Sequence, residues 1–198
     1  MGGLDEGRLY VARHGVTRAN LNGVTEGMAD EPLVEAGREQ ARALAERVAS
    51  LGVAEVWTSP LARARQTAEI VAAAHGVPLH VDQALRELDA GPWQGLTQEQ
   101  MAARYPEEFA RWQADPAAFQ LDGRETLPQV RDRTVAALER IRARPGTALV
   151  VTHTVPIRLA RVHYAGEELN TFATFLPDHC ALMELAAEGD GWVLRAAE

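Results

Sequence analysis

The chain has 198 residues, of which 46% are hydrophobic and 24% are charged. This length and composition fit one substantial globular domain, or at most two small ones, and they exclude a disordered chain and a fibrous protein. There are 20 basic and 28 acidic residues, so the formal net charge is -8. A charge of this sign opposes non-specific attraction to polyanions, and we therefore expect no nucleic acid partner.

All the basic residues are arginine, and the chain contains no lysine. This excludes a lysine-containing phosphate-binding loop, Schiff-base chemistry and a lysine-dependent kinase mechanism. Cys180 is the single cysteine, so no internal disulfide can form, and a reducing cytoplasm is the expected compartment. The polar first residues, and the lack of an apolar run of about 18 residues, predict a protein that is neither exported nor inserted in a membrane.

The hydrophobic pattern predicts alternating strands and helices in the first half of the chain. The predicted strands are short apolar or β-branched runs, at residues 8–13, 54–58 and around 79–81. The predicted helices have one apolar and one charged face and end at a glycine, at residues 35–51 and about 61–75. Strand, helix and strand in this order indicate a parallel sheet.

Residues 88–126 differ in composition, since they are rich in Gly, Pro, Gln and Trp. Two short helical stretches are expected there, around Pro106 and Pro116, and no strand, so we interpret this stretch as a lid or small insertion. The chain then returns to helices at 127–141 and about 155–164 and to strands at 147–152, 181–186 and 192–196, with a turn at Gly189-Asp190-Gly191.

No internal repeat or linker divides the chain, which favours one domain over residues 1–198. The expected fold is α/β: a single-domain three-layer sandwich with helices on both faces of a mostly parallel central sheet and a small helical lid insertion at about 88–126. Edge strands or the lid could pair with a second copy, so the oligomeric state stays open.

Polar side chains follow several predicted strands at the point where each strand ends. The first strand is followed by Arg13-His14-Gly15, and the strand at 147–152 is followed by His153-Thr154. Arg63 lies one helical turn beyond the end of the second strand. Because parallel strands carry their sites beyond their carboxyl ends, we expect two histidines and two arginines to meet at one edge of the sheet.

These residue types suit a phosphoryl group. Two guanidinium ions can bind a phosphate dianion through planar forks of donors. A neutral imidazole beside that phosphate can attack phosphorus and form a phosphohistidine, which divides one difficult displacement into two easier ones. The guanidinium groups would also lower the pKa of the imidazole and stabilise charge on the equatorial oxygens.

An ordered series of motifs extends this pattern over most of the chain. The motifs are Arg13-His14-Gly15 with Thr17 and Asn20, Asp30-Glu31-Pro32-Leu33, Ala36-Gly37, Thr58-Ser59-Pro60-Leu61-Ala62-Arg63-Ala64-Arg65-Gln66-Thr67-Ala68, Leu85-Arg86-Glu87-Leu88, Gly91-Pro92-Trp93-Gln94-Gly95 and Val150-Val151-Thr152-His153. With this order and spacing the sequence resembles the histidine phosphatase superfamily, and more closely its phosphoglycerate-mutase-like branch. The middle of the insertion and the last strands carry no recognisable motif.

The resemblance implies a role for each matching residue. His14 would be the phosphorylated nucleophile, and the phosphate pocket would be completed by Arg13, Arg63 and His153. The residues predicted to bind substrate are Asn20, Gly15 and Thr154. The resemblance implies no metal and no other cofactor.

Glu87 matches the proton donor of that family. A carboxyl group beside Leu85 and Leu88 that faces a bound phosphate would have a raised pKa, from burial and from like charge. It could then protonate the leaving oxygen and later activate water. A capping or salt-bridge role stays open for this carboxylate, and Glu125 also matches a family segment.

Two residues depart from the family pattern. Glu26 precedes Gly27 where many members have Gln or Ser, and a carboxylate there would repel phosphate unless it turned outward. Thr154 follows His153 where most members have glycine. It keeps a backbone N–H for an oxyanion but adds a β-branched side chain, so a narrower pocket is expected.

The other histidines and tryptophans are assigned structural roles. The histidines without metal-ligand spacing, interpreted as surface or satisfied core residues, are His75, His80, His163 and His179. The tryptophans expected to pack in the core or the lid are Trp57, Trp112 and Trp192. For Trp93, which lies in a motif near Glu87, core packing and a place in the substrate cleft both stay open.

Three functions remain. The first is metal-independent hydrolysis of a small phosphorylated metabolite through a phosphohistidine, and the second is a phosphoglycerate mutase, which returns the phosphoryl group to a glycerate. The third is a non-catalytic member that binds a phosphorylated ligand, which Glu26 and Thr154 motivate. The insertion has three arginines against seven acidic residues, a balance that disfavours the doubly acidic substrate of a mutase. Hydrolysis is therefore preferred, with the physiological substrate open.

Overall fold

The computed structural model describes residues 8–189 and 191–197. Its strands are β1 (Leu9–Arg13), β2 (Val53–Thr58), β3 (Leu79–Val81), β4 (Thr147–Thr152), β5 (Leu182–Glu188) and β6 (Gly191–Ala196). Its α-helices are α1 (Arg18–Leu21), α2 (Glu35–Val48), α3 (Ala62–His75), α4 (Gln98–Arg104), α5 (Pro106–Ala114), α6 (Leu127–Arg142) and α7 (Thr154–Ala165). Within the described residues, no helix is both long and apolar enough to cross a membrane.

The strands form one sheet in the order β3-β2-β4-β1-β5-β6. The pairs β3-β2, β2-β4 and β4-β1 are parallel, and each connection between these strands passes through at least one helix. By contrast, β5 runs antiparallel to β1, and β6 runs antiparallel to β5. The predicted mostly parallel sheet is confirmed, with an antiparallel hairpin at one edge.

The side chains of β1 alternate between two apolar layers. Tyr10 and Ala12 pack with buried residues of α2 and α3. Leu9 and Val11 pack on the opposite face, with buried residues of α6 and α7. This alternation is the period-two pattern of a strand buried on both faces. Helices therefore cover both faces of the sheet, and the predicted three-layer α/β architecture is confirmed.

The insertion between β3 and α6 differs from the prediction in one of its helices. A helix begins at Pro106, but the residues around Pro116 form a turn. The other helix of this stretch is α4, which begins after Thr97. Thr97 Oγ1 accepts from the Gln100 N–H, and the Gln100 side chain accepts from the Thr97 N–H. A local capping box therefore marks the start of α4, a helix that the apolar periodicity of the sequence did not predict.

Several short elements were outside the predicted set, among them the 3₁₀ helices Gln83–Leu85 and Gly91–Trp93. α1 has four residues, and another 3₁₀ helix spans Leu169–Thr174. Elements of this length have too few apolar positions for a periodic signal. The predicted turn between the last two strands includes Asp190, which lies outside the described residues, as do residues 1–7.

Two glycines let the loop after β1 touch the start of α2. A Cβ atom on Gly15 would lie 2.4 Å from the carbonyl oxygen of Gly37, and one on Gly37 would lie 2.3 Å from the carbonyl oxygen of Val16. Both distances are far below van der Waals contact, so neither position accepts a side chain without a backbone shift. Backbone contact with α2 thus fixes the loop that carries His14.

An aromatic cluster joins the insertion to the rest of the molecule. Trp93 stacks on Phe119 with ring centroids 5.2 Å apart. Trp112 packs edge-on against Phe119 and Phe172, with centroid distances of 5.6 and 5.7 Å. Buried residues of α6 and α7 belong to the same apolar cluster. The insertion is therefore packed against the two helices that cover one face of the sheet.

Candidate active site

His14 and His153 meet at the carboxyl edge of the sheet. His14 follows β1 and His153 follows β4, and these strands are parallel neighbours in which Arg13 pairs with Thr152. The backbone N–H of His14 donates to the carbonyl oxygen of Thr152 at 3.0 Å. The two imidazole rings are buried, their centroids are 5.1 Å apart, and their planes are inclined by 60°. The parallel pairing of β1 with β4 thus brings the two histidines together.

His14 is held as a neutral imidazole. Its Nδ1 lies 2.7 Å from the carbonyl oxygen of Gly15, so Nδ1 carries the proton and donates it, and Nε2 keeps its lone pair. Burial lowers the pKa of His14 well below its ordinary value, and the positive charges of Arg63 and Arg13 lower it further. A neutral ring with a lone pair on Nε2 is the form that can attack phosphorus.

His153 is also held neutral, and Ser59 orients its ring. The Nε2 atom lies 2.7 Å from Ser59 Oγ, while the buried Nδ1 atom has no hydrogen-bond partner. Burial lowers the pKa of His153 well below its ordinary value, and Arg63 and then His14 add to this effect. A buried nitrogen without a partner is uncommon in proteins, and it fits a site that receives a polar ligand.

Arg13 and Arg63 supply the positive charge of the site. Arg63 is fully buried, and its Nη1 and Nη2 donate to the carbonyl oxygens of Ala29 (2.7 Å) and Gly27 (2.9 Å). Arg13 donates from Nη1 to the carbonyl oxygen of Pro177 at 2.8 Å, and its buried Nε has no hydrogen-bond partner. Backbone carbonyl groups therefore hold both guanidinium groups in place.

Glu26 turns inward rather than outward. Its carboxylate accepts from Thr17 Oγ1 (2.6 Å) and from the Asn20 amide (2.8 Å), and its Oε2 lies 3.5 Å from Nε of Arg63. Both members of this ion pair are buried. The positive charge of Arg63 offsets the negative charge of the Glu26 carboxylate. The repulsion of a phosphate that is expected of a lone carboxylate is therefore reduced. The hydrogen bond to Glu26 uses an N–H of the Asn20 side-chain amide, which is the group predicted to contact the phosphoryl group.

Glu87 and Glu125 lie in different surroundings. Glu87 Oε1 accepts from the backbone N–H groups of Leu88 (2.8 Å) and Val155 (3.3 Å), and burial raises the pKa of this carboxyl group. Glu125 is bound through both oxygens by Arg133, at 2.7 and 2.8 Å. Burial raises the pKa of Glu125 as well, but the bonds from Arg133 outweigh burial and the net pKa is lowered. Glu87 thus has the environment of an acid, and Glu125 that of a structural carboxylate.

A cavity of about 170 Å³, here named the phosphoryl pocket, opens at these residues. The predicted site residues in its walls are Arg13, His14, Asn20, Glu87 and Thr154. Arg63 and His153 are fully buried behind the walls. The backbone N–H of Gly15 donates to Thr67 Oγ1 at 3.0 Å. Since α7 begins at Thr154, the positive end of its helix dipole lies at the pocket. The arrangement suits a dianion.

His179 is a neighbour of the site that its sequence context does not reveal. Its Nδ1 donates to the carbonyl oxygen of His14 at 3.2 Å, and the two ring centroids are 5.7 Å apart. The backbone N–H of Cys180 likewise donates to the carbonyl oxygen of Arg13 at 3.1 Å. Both donors precede β5, which runs antiparallel to β1 and so starts at the edge where β1 ends. The position of His179 could have been predicted only with knowledge of the antiparallel pairing of β5 with β1.

The remaining assigned residues have structural contacts. His75 Nε2 lies 2.8 Å from the carbonyl oxygen of Ala45, and His80 stacks on Trp57 with centroids 4.5 Å apart. Trp93 is buried, as expected of a packing residue, and it also lines a cavity that is described below. In the described part of the chain, no group of three or more His, Cys, Asp or Glu side chains is arranged to hold a metal ion.

An α/β sandwich that gathers two neutral histidines and two arginines at one sheet edge defines a class of phosphoryl-transfer enzymes. The chain belongs to the histidine phosphatase superfamily (branch 1), whose sequence profile matches residues 9–198. The family resemblance drawn from the motifs is thus confirmed.

Relatives with assigned names include both phosphatases and mutases. Phosphoserine phosphatase 1 of Hydrogenobacter thermophilus is 32% identical over 176 residues, which cover 88% of this chain and 83% of the relative. The probable phosphoglycerate mutase GpmB of Escherichia coli is 33% identical over 156 residues, which cover 76% of this chain and 71% of the relative.

Solved structures of similar proteins share the whole fold. YhfR of Bacillus stearothermophilus has a TM-score of 0.86 at 28% identity and covers 96% of this chain and 95% of that chain. A mycobacterial glucosyl-3-phosphoglycerate phosphatase complexed with VO3 has a TM-score of 0.84 at 27% identity and covers 96% and 98%. The chain is therefore an enzyme of the phosphatase and phosphoglycerate-mutase-like kind.

His179→Ala removes the donor that holds the carbonyl group of His14. We expect kcat for p-nitrophenyl phosphate to fall about 2- to 12-fold, since a neutral hydrogen bond contributes about 0.5–1.5 kcal/mol. His179→Asn keeps an N–H near the position of Nδ1 and should recover most of the rate. Steady-state kinetics and urea unfolding of both variants test this. An unchanged kcat in His179→Ala, with stability alone reduced, contradicts a positioning role.

Proposed function

We propose that this enzyme is a metal-independent phosphomonoester hydrolase that works through a phosphohistidine on His14. The observation that carries the proposal is the pair of neutral imidazoles 5.1 Å apart, with Arg13 and Arg63 beside them. The family and the named phosphatases among its relatives support the same type of reaction. The two guanidinium groups would offset the charge on the phosphoryl oxygens, which is a task that metal ions perform in other phosphatases.

In the first step, His14 attacks the phosphorus atom. The lone pair on Nε2 forms the N–P bond while the P–O bond to the leaving alcohol breaks, and that electron pair stays on oxygen. Glu87, whose raised pKa favours the protonated form, donates its proton to this oxygen, so a neutral alcohol leaves. Arg13 on the pocket wall would contact the equatorial oxygens, and Arg63, buried behind the wall with His153, would add its positive charge to the stabilisation of these oxygens.

In the second step, water takes the place of the alcohol. Glu87, now a carboxylate, accepts a proton from water as the water oxygen bonds to phosphorus and the N–P bond breaks. The electron pair of that bond returns to Nε2 of His14, and inorganic phosphate leaves. One water is consumed for each phosphomonoester, and the enzyme returns to its starting form.

The proposed substrate is a small phosphorylated metabolite, and Asn20 and Thr154 on the pocket wall are proposed to bind it. Relatives named for phosphoserine, glucosyl-3-phosphoglycerate and alpha-ribazole phosphate chemistry support this class. We place the reaction in the cytoplasm, because Cys180 is a free, buried thiol of the kind that a reducing compartment preserves.

A phosphoglycerate mutase is the second candidate, because GpmB is 33% identical. A mutase must retain a small glycerate while the phosphoryl group returns to it. The walls of the space beside the phosphoryl pocket include the large aromatic side chains Trp93 and Trp112, which complement an apolar or aromatic leaving group better than the small hydroxylated body of a glycerate. A non-catalytic role is ranked last, because ligand binding alone gives no reason to keep both imidazoles neutral.

His14→Ala removes the nucleophile, and turnover of p-nitrophenyl phosphate should fall more than about 10³-fold. The matched control is His163→Ala, which removes an exposed histidine of α7 and should leave the rate unchanged. Wild-type protein should keep its full rate in excess EDTA. Activity that disappears with the chelator, or that persists in His14→Ala, would falsify this mechanism.

Glu87→Gln removes the proton donor and keeps the size of the side chain. Hydrolysis of alkyl phosphates should slow by about 10²- to 10⁴-fold. Hydrolysis of p-nitrophenyl phosphate should slow much less, because nitrophenolate leaves without a proton. Glu107→Gln, on the exposed face of α5, is the control for a lost charge. Equal losses on both substrates would assign the proton to another group, with Glu125 as the next candidate.

The pH profile on alkyl phosphates supplies a second readout for the same variant. The wild-type rate should fall as pH rises through the raised pKa of Glu87, because the acid form is lost there. On the acid side it should fall only below the lowered pKa of His14, where the nucleophile becomes protonated. Glu87→Gln should lose the basic limb and keep the acidic one.

Product analysis separates hydrolysis from mutase activity. With 3-phosphoglycerate and a bisphosphoglycerate primer, we expect inorganic phosphate and no accumulation of 2-phosphoglycerate, because water reaches the phosphohistidine. Phosphate release and 2-phosphoglycerate are measured in the same reaction. If 2-phosphoglycerate is the main product, the order of the two candidates is reversed.

A further inference from the structure

A second cavity, here named the aromatic cavity, adjoins the phosphoryl pocket. It measures about 270 Å³ and shares Thr25, Leu88 and Val155 with the phosphoryl pocket. Its aromatic walls are Trp93, Phe109, Trp112 and Phe172. An apolar cavity of about 150 Å³ can hold a benzene ring, so the aromatic cavity has room for a substituted ring. The alcohol part of a phosphomonoester bound at His14 would extend into it.

Two arginines, Arg124 and Arg158, stand among these aromatic walls. The guanidinium carbon of Arg124 lies 4.4 Å from the ring centroid of Trp112 and 5.4 Å from that of Trp93. These cation–π contacts hold the planar guanidinium group in one orientation. The Nε atom of Arg124 is buried and has no hydrogen-bond partner, and burial lowers the pKa of this group to about 10.

Within residues 8–189 and 191–197, Arg124 forms no ion pair with a carboxylate. Its neighbour Glu125 is already bound by Arg133 and by Arg86, the latter at 3.1 Å. Among the described residues, no ion pair includes Arg124 or Arg158. A partly buried charge without a counter-ion is costly to desolvate, so an anion is the occupant that complements this cavity.

The acidic residues of the insertion do not provide that anion. Those that are exposed to solvent, and that are not among the cavity walls, are Glu99, Glu107, Asp115 and Asp122. The acidic charge balance of residues 88–126 therefore describes the outer surface. The interior of the aromatic cavity carries positive charge, which is the opposite of what the net charge of the insertion indicates.

We propose, on the basis of the proposed hydrolase function, that the aromatic cavity is the leaving-group subsite and takes an alcohol with an aromatic or apolar body and a carboxylate that pairs with Arg124. The aromatic walls would bury the body of the alcohol, and the guanidinium fork would receive the carboxylate in a bidentate contact. Arg158 is the second arginine of the aromatic cavity. The preferred substrate is thus a carboxylated aryl or alkyl phosphate.

The test compares 4-carboxyphenyl phosphate with the neutral, equally sized 4-carbamoylphenyl phosphate. Wild-type protein should have the higher kcat/KM for the carboxylate, although the carbamoyl compound has the better leaving group. Arg124→Gln should lower kcat/KM for the carboxylate by about 10- to 100-fold, because a charge-assisted hydrogen bond is lost, and should change the value for the neutral compound less than about 3-fold. Arg124→Lys should retain part of the preference.

The control is Arg104→Gln, which removes an exposed arginine of α4 and should leave both values unchanged. Equal effects of Arg124→Gln on both compounds, or no wild-type preference for the carboxylate, overturn the subsite proposal. The second criterion needs no variant, so it holds even if Arg124→Gln does not fold. Failure of the proposed function looks different: wild-type protein would hydrolyse neither compound, or His14→Ala would hydrolyse both.

Discussion

The site depends on two imidazole rings that stay uncharged beside two guanidinium ions. Protonation of His14 or His153 would add a further positive charge to a buried space that already holds Arg63, and burial and electrostatic repulsion both oppose this. The parallel pairing of β1 with β4 creates that situation, because it brings the two rings together at the carboxyl edge of the sheet. The same residues that we propose to bind a phosphate dianion would therefore also keep the proposed nucleophile, His14, in its reactive form.

The positions of Arg13, His14 and His153 could be predicted from the sequence, because parallel strands share one carboxyl edge and each strand was marked by its own apolar run. Glu87 follows a 3₁₀ turn instead of a strand, so only the family resemblance assigned it. His179 was not predicted to lie at the site, because its position depends on the antiparallel pairing of β5 with β1, which no local sequence pattern encodes. In the insertion, a capping box positioned α4 where apolar periodicity gave no signal.

In the insertion, the net charge of the sequence does not indicate which charged side chains face solvent and which line the cavity. Four of the seven acidic residues of the insertion are exposed to solvent and none lines the aromatic cavity, whereas Arg124 stacks on Trp112 in the cavity wall. Glu26 makes the same point in the phosphoryl pocket: its carboxylate turns inward because Thr17, Asn20 and Arg63 bind it there. Tertiary contacts thus decide the electrostatics of both cavities, and the sequence supplies only the inventory of charges.

The contacts before β5 also link the assembly of the site to a late part of the chain. Arg13 donates to Pro177 across 164 positions, and His179 donates to His14 across 165. Closing a loop of this length requires that almost the whole chain has left the ribosome. A nascent chain that already contains both histidines of the phosphoryl pocket therefore still lacks, until residues 177–180 have emerged, the groups that hold Arg13 and the backbone of His14.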